Sequence, residues 1–379
     1  MRRTLCVVTA RHSTDFALAV AGAQVRLHGN LSAELFILLH TEIKAFQNQV
    51  VSWQKTHGRH QLPWQQAGTP YAVLVSELML QQTQVATVIP YFQRWMTSFP
   101  TIEALAQASN DEVMAHWQGL GYYARARNLH KAAVYIRELG AFPQNLEALL
   151  TVPGVGRYTA GAIMSFAYDS YGPIVDGNVR RLYARYFAID GVTSSSAVDK
   201  KLWALAEALT PTDNCRSFAQ GLLDLGATVC KPRQPLCEQC PLASSCQALL
   251  QNRVDELPTA KPKKLVPVKP GHFLWFIKDG HILLHKRPEQ GIWASLWSLP
   301  QVEAHSPWLE DAKLHGVFVH QFTHYKLDAS VWVLNHAVRE VQEEFSGSWY
   351  HKNDLNKVGL PAPIRSFIEQ QFDLKPDKT

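Results

Sequence analysis

Cys230-Lys231-Pro232-Arg233-Gln234-Pro235-Leu236-Cys237-Glu238-Gln239-Cys240-Pro241-Leu242-Ala243-Ser244-Ser245-Cys246 sets four thiols in the order C-x6-C-x2-C-x5-C, and only Cys6 and Cys215 stand elsewhere in the 379 residues. Thiolates this close can share one soft metal centre, zinc or an iron–sulfur cluster. A structural zinc site is usually built from two tight pairs, and here only Cys237 and Cys240 form one. The spacing therefore favours iron–sulfur and leaves zinc open. A disulfide reading needs an oxidising compartment, and nothing in the chain clearly signals export.

Working outward from this knot, the length suits two domains. A hydrophobic content of 46% is ample for packed cores, and a charged content of 18% argues against disorder. The formal net charge of +5 is compatible with a polyanionic partner, and equally with an ordinary soluble protein. There is no apolar run long enough to cross a membrane as a helix. Near the start, Arg2 and Arg3 precede a short apolar run broken by Arg11 and His12, a poor signal peptide. Residues 1–40 read as a flexible extension, with a transit peptide as the alternative.

Upstream of the cysteines, residues 42–249 repeat apolar side chains at helical spacing, with Gly and Pro at the joins. Downstream, 258–270 gathers prolines and lysines into a stiff basic linker, solvated by default. From 271 the pattern turns strand-like. Segments 272–277 and 281–285 flank an Asp279-Gly280 turn and read as a hairpin. Segments 317–320 and 330–334 read as further strands, and 363–372 as a closing helix. The C-terminal domain is thus α+β, over 271–372, with a tail at 373–379.

Three motifs carry chemistry. In Leu149-Leu150-Thr151-Val152-Pro153-Gly154-Val155-Gly156-Arg157-Tyr158-Thr159-Ala160 a helix ends, a glycine hairpin turns, and a helix begins. Gly154 and Gly156 leave amides bare beside a helix N-terminus, a site for a phosphate oxygen. The stretch resembles a helix-hairpin-helix DNA-backbone binder; a four-residue match alone would read as an ordinary turn. In Ile174-Val175-Asp176-Gly177-Asn178-Val179-Arg180-Arg181, Asp176 precedes a helix. It is either a plain N-cap or an anion kept ionised there to face a cationic sugar. In Val73-Leu74-Val75-Ser76-Glu77-Leu78-Met79-Leu80-Gln81-Gln82-Thr83, Glu77 is the only acid between Arg59 and Glu103. Its helical neighbours Val73, Leu74 and Leu80 are apolar, which raises a carboxyl pKa. Taken by itself the window also fits a surface glutamate. Paired with Asp176, it fits cleavage of a glycosidic C–N bond, one acid protonating the leaving group and one anion stabilising an oxocarbenium ion.

In their order, these motifs resemble the iron–sulfur DNA glycosylase superfamily. The strings Leu62-Pro63-Trp64, Ser76 to Val85, Gly119-Leu120-Gly121-Tyr122-Tyr123-Ala124-Arg125 and Val175-Asp176-Gly177-Asn178 are similar to adenine DNA glycosylases of the MutY type, over about 42–370. The resemblance implies a mainly α N-terminal part: a six-helix barrel with helix-hairpin-helix and iron–sulfur loop at 41–257, then a NUDIX-like domain. It implies a [4Fe–4S] cluster on Cys230, Cys237, Cys240 and Cys246, with Lys231 and Arg233 suited to phosphate contacts. Glu77 would protonate a flipped adenine at N7. Asp176, with Asn178 beside it, would stabilise the oxocarbenium ion. Leu62, Trp64, Leu80 and Gln220 would line the adenine pocket, and Gln82 and Tyr122 would wedge into the duplex. Phe322-Thr323-His324 stands where the family carries Phe-Ser-His for reading 8-oxoguanine; threonine keeps the hydroxyl and adds a methyl.

Lyase-type relatives place a lysine after the hairpin as a Schiff-base nucleophile. Here that position is Tyr158, so a monofunctional enzyme is expected. Arg339-Glu340-Val341-Gln342-Glu343-Glu344 echoes part of a NUDIX box, but the required Gly and Glu would fall at Tyr325 and Val331, which argues against a pyrophosphatase. The expected substrate is duplex DNA with adenine opposite 8-oxoguanine or guanine, acted on by a monomer in a bacterial cytoplasm, at the nucleoid. A lyase on damaged pyrimidines is opposed by Tyr158 and by the C-terminal domain. A non-catalytic DNA-binding module is opposed by Glu77 and Asp176.

Overall fold

Gly or Pro stands at many of the joins between helices in the computed structural model, which describes residues 41–262, 265–334 and 342–372, and the backbone alone of 7–11, 13–20, 23–28 and 33–40. The backbone of the first stretches pairs as β1 (Val7–Arg11), β2 (Ser13–Val20) and β3 (Ala23–His28), antiparallel in that order. The chain divides into two compact units, Met1–Glu77 with Gly140–Pro262, and Leu78–Leu139 with Lys263–Thr379.

The first unit holds α1 (Ala33–His57), α2 (Pro63–Ala67), most of α3 (Pro70–Leu80), α8 (Leu146–Leu150), α9 (Arg157–Phe166), α10 (Gly177–Tyr186), α11 (Ser196–Leu209), α12 (Cys215–Asp224) and α13 (Gln247–Leu250). Its core gathers Phe46 and Val50 of α1, Val179, Leu182 and Tyr183 of α10, and Phe218 and Leu222 of α12. Each element contributes residues three or four apart, the stripe that a helix must bury. Segment 172–173 crosses α9 at Gly161, where a Cβ would collide with the Pro173 carbonyl. That close approach carries the chain to Asp176. After α12 the backbone widens into a π-helical turn, Leu225–Val229, whose Gly226 lies against Asn178. Such turns often occur at functional sites.

The second unit joins α4 (Val85–Ser98), α5 (Ile102–Gln107), α6 (Asn110–His116) and α7 (Ala124–Leu139) to the C-terminal sheets. Thr101 caps α5 and Ser109 forms a capping box with Glu112 on α6, so one apolar segment at 102–117 breaks into two helices. One sheet runs β8 (Gln301–Val302), β4 (Val268–Trp275), β10 (Lys326–Val333), β9 (Lys313–Gln321). The other runs β11 (Ser348–His351), β6 (His281–Lys286), β5 (Ile277–Lys278), with β7 (Trp297–Ser298) on β6. Helix Ala362–Gln371 closes the unit by packing Phe367 and Ile368 into the core of Phe273, Trp275 and Leu327. Leu274 and Phe276 face a separate core with Leu283 and Val302. Residues 273–276 are thus buried on both faces, which explains their unbroken apolarity.

The Asp279-Gly280 turn joins only β5 to β6, with Lys278 opposite His281. The strand read at 272–277 is mostly β4, which pairs parallel with β10, so the hairpin is shorter than expected. Local turn chemistry locates a hairpin but not the partner of a strand buried on both faces. β4 also starts inside the stretch read as linker, at Val268. Of the box-like segment, Arg339, Glu340 and Val341 lie outside the described residues, while Gln342 to Glu344 are helical. The tail at 373–379 also lies outside them. No described helix is long and apolar enough to cross a membrane.

Candidate active site

Glu77 sits on α3 with Val73 and Leu74 buried one turn back, and its own side chain is 4% exposed. Burial pushes its carboxyl up to about 7, and a hydrogen bond donated by the Tyr158 hydroxyl holds it back. Asp176 is its electrostatic neighbour and pushes in the same direction as burial. Tyr158 opens α9 and is pushed well above the usual phenol range by burial and by both acids. The first unit therefore brings Glu77, Tyr158 and Asp176 together.

Asp176 is the N-cap of α10, accepting from the Val179 amide at 2.7 Å through Oδ1 and from Asn178 Nδ2 at 3.0 Å through Oδ2. Burial raises its pKa, while the bonds from Val179 and Asn178 and the Arg181 cation lower it. Capping alone does not set its charge, as the sequence suggested; the helix N-terminus works against desolvation. Asn178 is held in turn by Arg181, whose Nη2 donates to its Oδ1 at 2.9 Å and whose Nε donates to the Cys230 carbonyl at 2.7 Å. The two carboxyls thus occupy contrasting settings. Glu77 has one named hydrogen-bond donor and a near-neutral pKa; Asp176 has several donors suited to an anion.

Three of the residues expected at a base pocket also lie in this unit. Leu62 is the N-cap of α2, its amide donating to Gln65 Oε1 at 3.2 Å, and Trp64 is buried. Gln220 on α12 donates through Nε2 to Asp224 Oδ1 at 3.0 Å. The fully buried Asp224 carboxylate also accepts from Arg59 Nε at 2.7 Å and from the Arg59 amide at 2.9 Å. Sequence reading missed Arg59 and Asp224; an acid in an apolar run of α12 was the available signal.

Leu80, Gln82, Tyr122 and Phe322-Thr323-His324 belong to the second unit. Leu80, at the end of α3, is half-buried. A cleft of about 670 Å³ gathers Gln82, Tyr122, Phe322 and Thr323, with Trp293 and His320. Phe322 to Tyr325 form the tip between β9 and β10, closed by the Phe322 amide on the Tyr325 carbonyl at 2.8 Å. His324 is exposed, its ring tilted against Phe322 and edge-on to Tyr325, and it is absent from the cleft lining. Trp293 and His320 were not anticipated, because contacts between a loop and a strand leave no periodic trace.

At the hairpin, the Val155 amide closes on the Val152 carbonyl at 3.0 Å, and Gly154 has φ +77°. Gly154 and Gly156 are exposed, and Gly156 is the N-cap of α9 with open space around it. Backbone amides there are free to meet an anion.

The four cysteines line an apolar cavity with Leu182 and Tyr186. Among the described residues no group of three or more His, Cys, Asp or Glu side chains is set to hold a single metal ion. Thiols ringing a cavity suit a multi-atom cluster better than one zinc ion. Burial, with added repulsion from neighbouring sulfurs, pushes the Cys240 thiol up to about 12 and also raises Cys237 and Cys246. Thiolates so crowded need cationic metal for charge balance. Arg185 donates from Nη1 to Cys230 Sγ at 3.4 Å and from Nε to the Leu257 carbonyl at 2.8 Å, so the loop is anchored to α10.

Comparison with known proteins agrees with this geometry. Residues 75–208 match the HhH-GPD superfamily of base excision DNA repair proteins, 230–246 the iron–sulfur binding domain of endonuclease III, and 272–370 a NUDIX domain. The chain is 35% identical to an adenine DNA glycosylase of Buchnera aphidicola subsp. Acyrthosiphon pisum, over 86% of this chain and 97% of that one. It is 43% identical to the adenine DNA glycosylase of Homo sapiens, over 63% of this chain and 45% of the human one. Among solved structures, a thermostable thymine-DNA glycosylase aligns with TM-score 0.51 and 30% identity, covering 56% of this chain and 98% of that one.

Proposed function

The chain belongs to the adenine DNA glycosylase family, and from that premise we propose that it removes adenine opposite 8-oxoguanine or guanine by acid-assisted, monofunctional hydrolysis. The observation that carries this reading is the contrast between Glu77, near neutrality, and Asp176, surrounded by donors. Adenine leaves as a neutral base only if a proton reaches its ring as the C1′–N9 bond breaks. Glu77 supplies that proton at N7, and the bonding pair departs with the base. Asp176 faces the cationic sugar, with Asn178 fixing its carboxylate. Water then adds at C1′, and its proton returns to Glu77.

Tyr158 orients Glu77 and offers no amine, so no imine forms and the strand is left intact. Extruding a base costs a few kcal/mol, roughly, and pocket contacts must offset it. Leu62, Trp64, Leu80 and Gln220 are read as that pocket, and Gln82 and Tyr122 as the wedge. The cleft with Phe322 and Thr323 supports reading of the opposite base; His324 is read as an outer contact. The amides of Gly154 and Gly156, with Lys231 and Arg233, are read as phosphate contacts. The cysteines hold an iron–sulfur cluster, read as [4Fe–4S], whose part is to order the loop. We read the protein as a monomer acting on chromosomal DNA in a bacterial cytoplasm.

A single-turnover assay on a duplex with adenine opposite 8-oxoguanine tests this directly. Strand breakage only after alkali is expected, and breakage without alkali would overturn the monofunctional reading. Glu77→Gln keeps the shape and deletes the acid: excision should fall at least a thousandfold with duplex binding retained. Full activity in that variant would remove Glu77 from the mechanism.

A further inference from the structure

Arg125, near the start of α7, is 6% exposed. Its Nη1 donates to the carbonyls of Leu78 at 2.9 Å, Met79 at 2.7 Å and Gln81 at 2.5 Å. Its Nη2 donates to the carbonyls of Leu120 at 3.0 Å and Gly121 at 3.1 Å, and both nitrogens reach Thr83 Oγ1 at 3.3 Å. The first group is the unsatisfied C-terminal end of α3 with the turn after it; the second is the loop before α7. One guanidinium therefore ties the segment 78–83 to the loop at 120–121, far apart in sequence.

Each segment carries one residue in the left-handed region, Gln82 at φ 57° and Tyr122 at φ 46°. Non-glycine residues stay there only when their surroundings over-determine the backbone. Arg125 fixes the Gln81 carbonyl before Gln82, the Thr83 hydroxyl after it and the Gly121 carbonyl before Tyr122. Trp117 adds a bond from Nε1 to the Gly121 carbonyl at 3.0 Å, and the Trp117 and Tyr122 rings lie 5.2 and 5.5 Å from the guanidinium carbon. Among the described residues no carboxylate pairs with this buried cation, and its partners are carbonyls, one hydroxyl and aromatic faces. A structural arginine of that kind serves geometry: five donors in a rigid plane can meet several carbonyls at once, which an ammonium cannot.

We propose that Arg125 is a positioning residue for base extrusion, clamping Gln82 and Tyr122 at fixed spacing so that both enter the duplex together. This rests on the reading of Gln82 and Tyr122 as the wedge. A loose wedge pays its ordering entropy on every encounter, so the clamp acts before bond cleavage and leaves proton transfer alone.

The test compares single-turnover excision of adenine paired with 8-oxoguanine and of adenine opposite an abasic-site analogue, where no pair must be opened. Arg125→Met and Arg125→Lys should both slow the paired substrate at least tenfold and the unpaired one less than threefold. The alkaline limb of the pH profile should stay in place. Equal losses on both substrates would overturn the proposal, leaving Arg125 a support of the fold. Full activity of Arg125→Lys would overturn it too, since charge without the fork would then suffice. Should neither variant fold, Thr83→Val removes one acceptor and should give the same selectivity at two- to fivefold; no selectivity there sinks the idea. The double variant Gln82→Ala with Tyr122→Ala reads the wedge separately. It should lose the paired substrate selectively, and normal excision by it would refute the wedge assignment whatever Arg125 does.

Discussion

In the mechanism proposed above Glu77 acts protonated and Asp176 ionised, and the excision rate is then expected to follow a bell in pH. The alkaline limb belongs to Glu77, near 7, above which the rate falls tenfold per unit. The acid limb belongs to Asp176 and lies above the ordinary aspartate range. Removing the Tyr158 hydroxyl deletes the bond that lowers Glu77, so Tyr158→Phe should move the alkaline limb upward. A limb that stays put would take Tyr158 out of contact with the acid. The same shift has a stability sign. Between the ordinary carboxyl value of 4.5 and about 7 the native state holds the Glu77 proton, whereas the unfolded chain has lost it. Stability therefore falls as pH rises through that window, by about 3 kcal/mol at about 1.4 kcal/mol per unit. Glu77→Gln should then be more stable than the parent at pH 8, by about 3 kcal/mol, and hardly different at pH 4.5, as denaturant titrations would read. The raised acidity was legible from Val73 and Leu74 on the same helix face. The hydroxyl that opposes it was not, because Tyr158 arrives from a distant helix.

Among the secondary elements, the hairpin between α8 and α9 separates binding from folding. Gly156 has an extended backbone and empty space where a Cβ would go. Gly156→Ala should leave stability within about 0.5 kcal/mol while weakening duplex affinity, because the methyl would fill the place proposed for a phosphate oxygen. Gly161, further along α9, behaves oppositely: a Cβ there meets the backbone of Pro173, which cannot yield without displacing the chain toward Asp176. Gly161→Ala should cost about 1–3 kcal/mol and depress excision as well. If calorimetry finds Gly161→Ala no less stable than Gly156→Ala, the crossing is not the constraint on Asp176. The turn itself was legible in Pro153-Gly154-Val155-Gly156. The crossing was not, since Gly161 looks like any small residue on an apolar helix. The π-helical turn at Leu225–Val229 was equally hidden, because its signature is a backbone widening that no side-chain period announces.

For the whole chain, linear order misleads about which parts cohere. Helices α4 to α7 lie between two segments of the first unit, yet they group with the C-terminal sheets. Arg127 donates to the Ala294 carbonyl at 2.7 Å, Tyr123 to the Leu360 carbonyl at 2.9 Å, and Lys286 pairs with Asp111 at 2.6 Å. Apolar periodicity marks each of these helices without saying what covers it. The iron–sulfur loop, by contrast, is tied wholly into the first unit: Arg185 reaches Cys230, Lys231 and Leu257, and Arg181 reaches Cys230. Oxidative removal of the cluster would leave half-buried thiols supported by that hydrogen bonding and by packing against the first unit's core. Hydrogen exchange should then rise sharply across 230–257 and at α10, while β4 and β10, buried on cores of their own, keep their protection. Equal loss of protection in both units would mean that the cluster stabilises the molecule as one cooperative body. Loss confined to the loop, with α10 unchanged, would mean that Arg181 and Arg185 carry no coupling between cluster and helix.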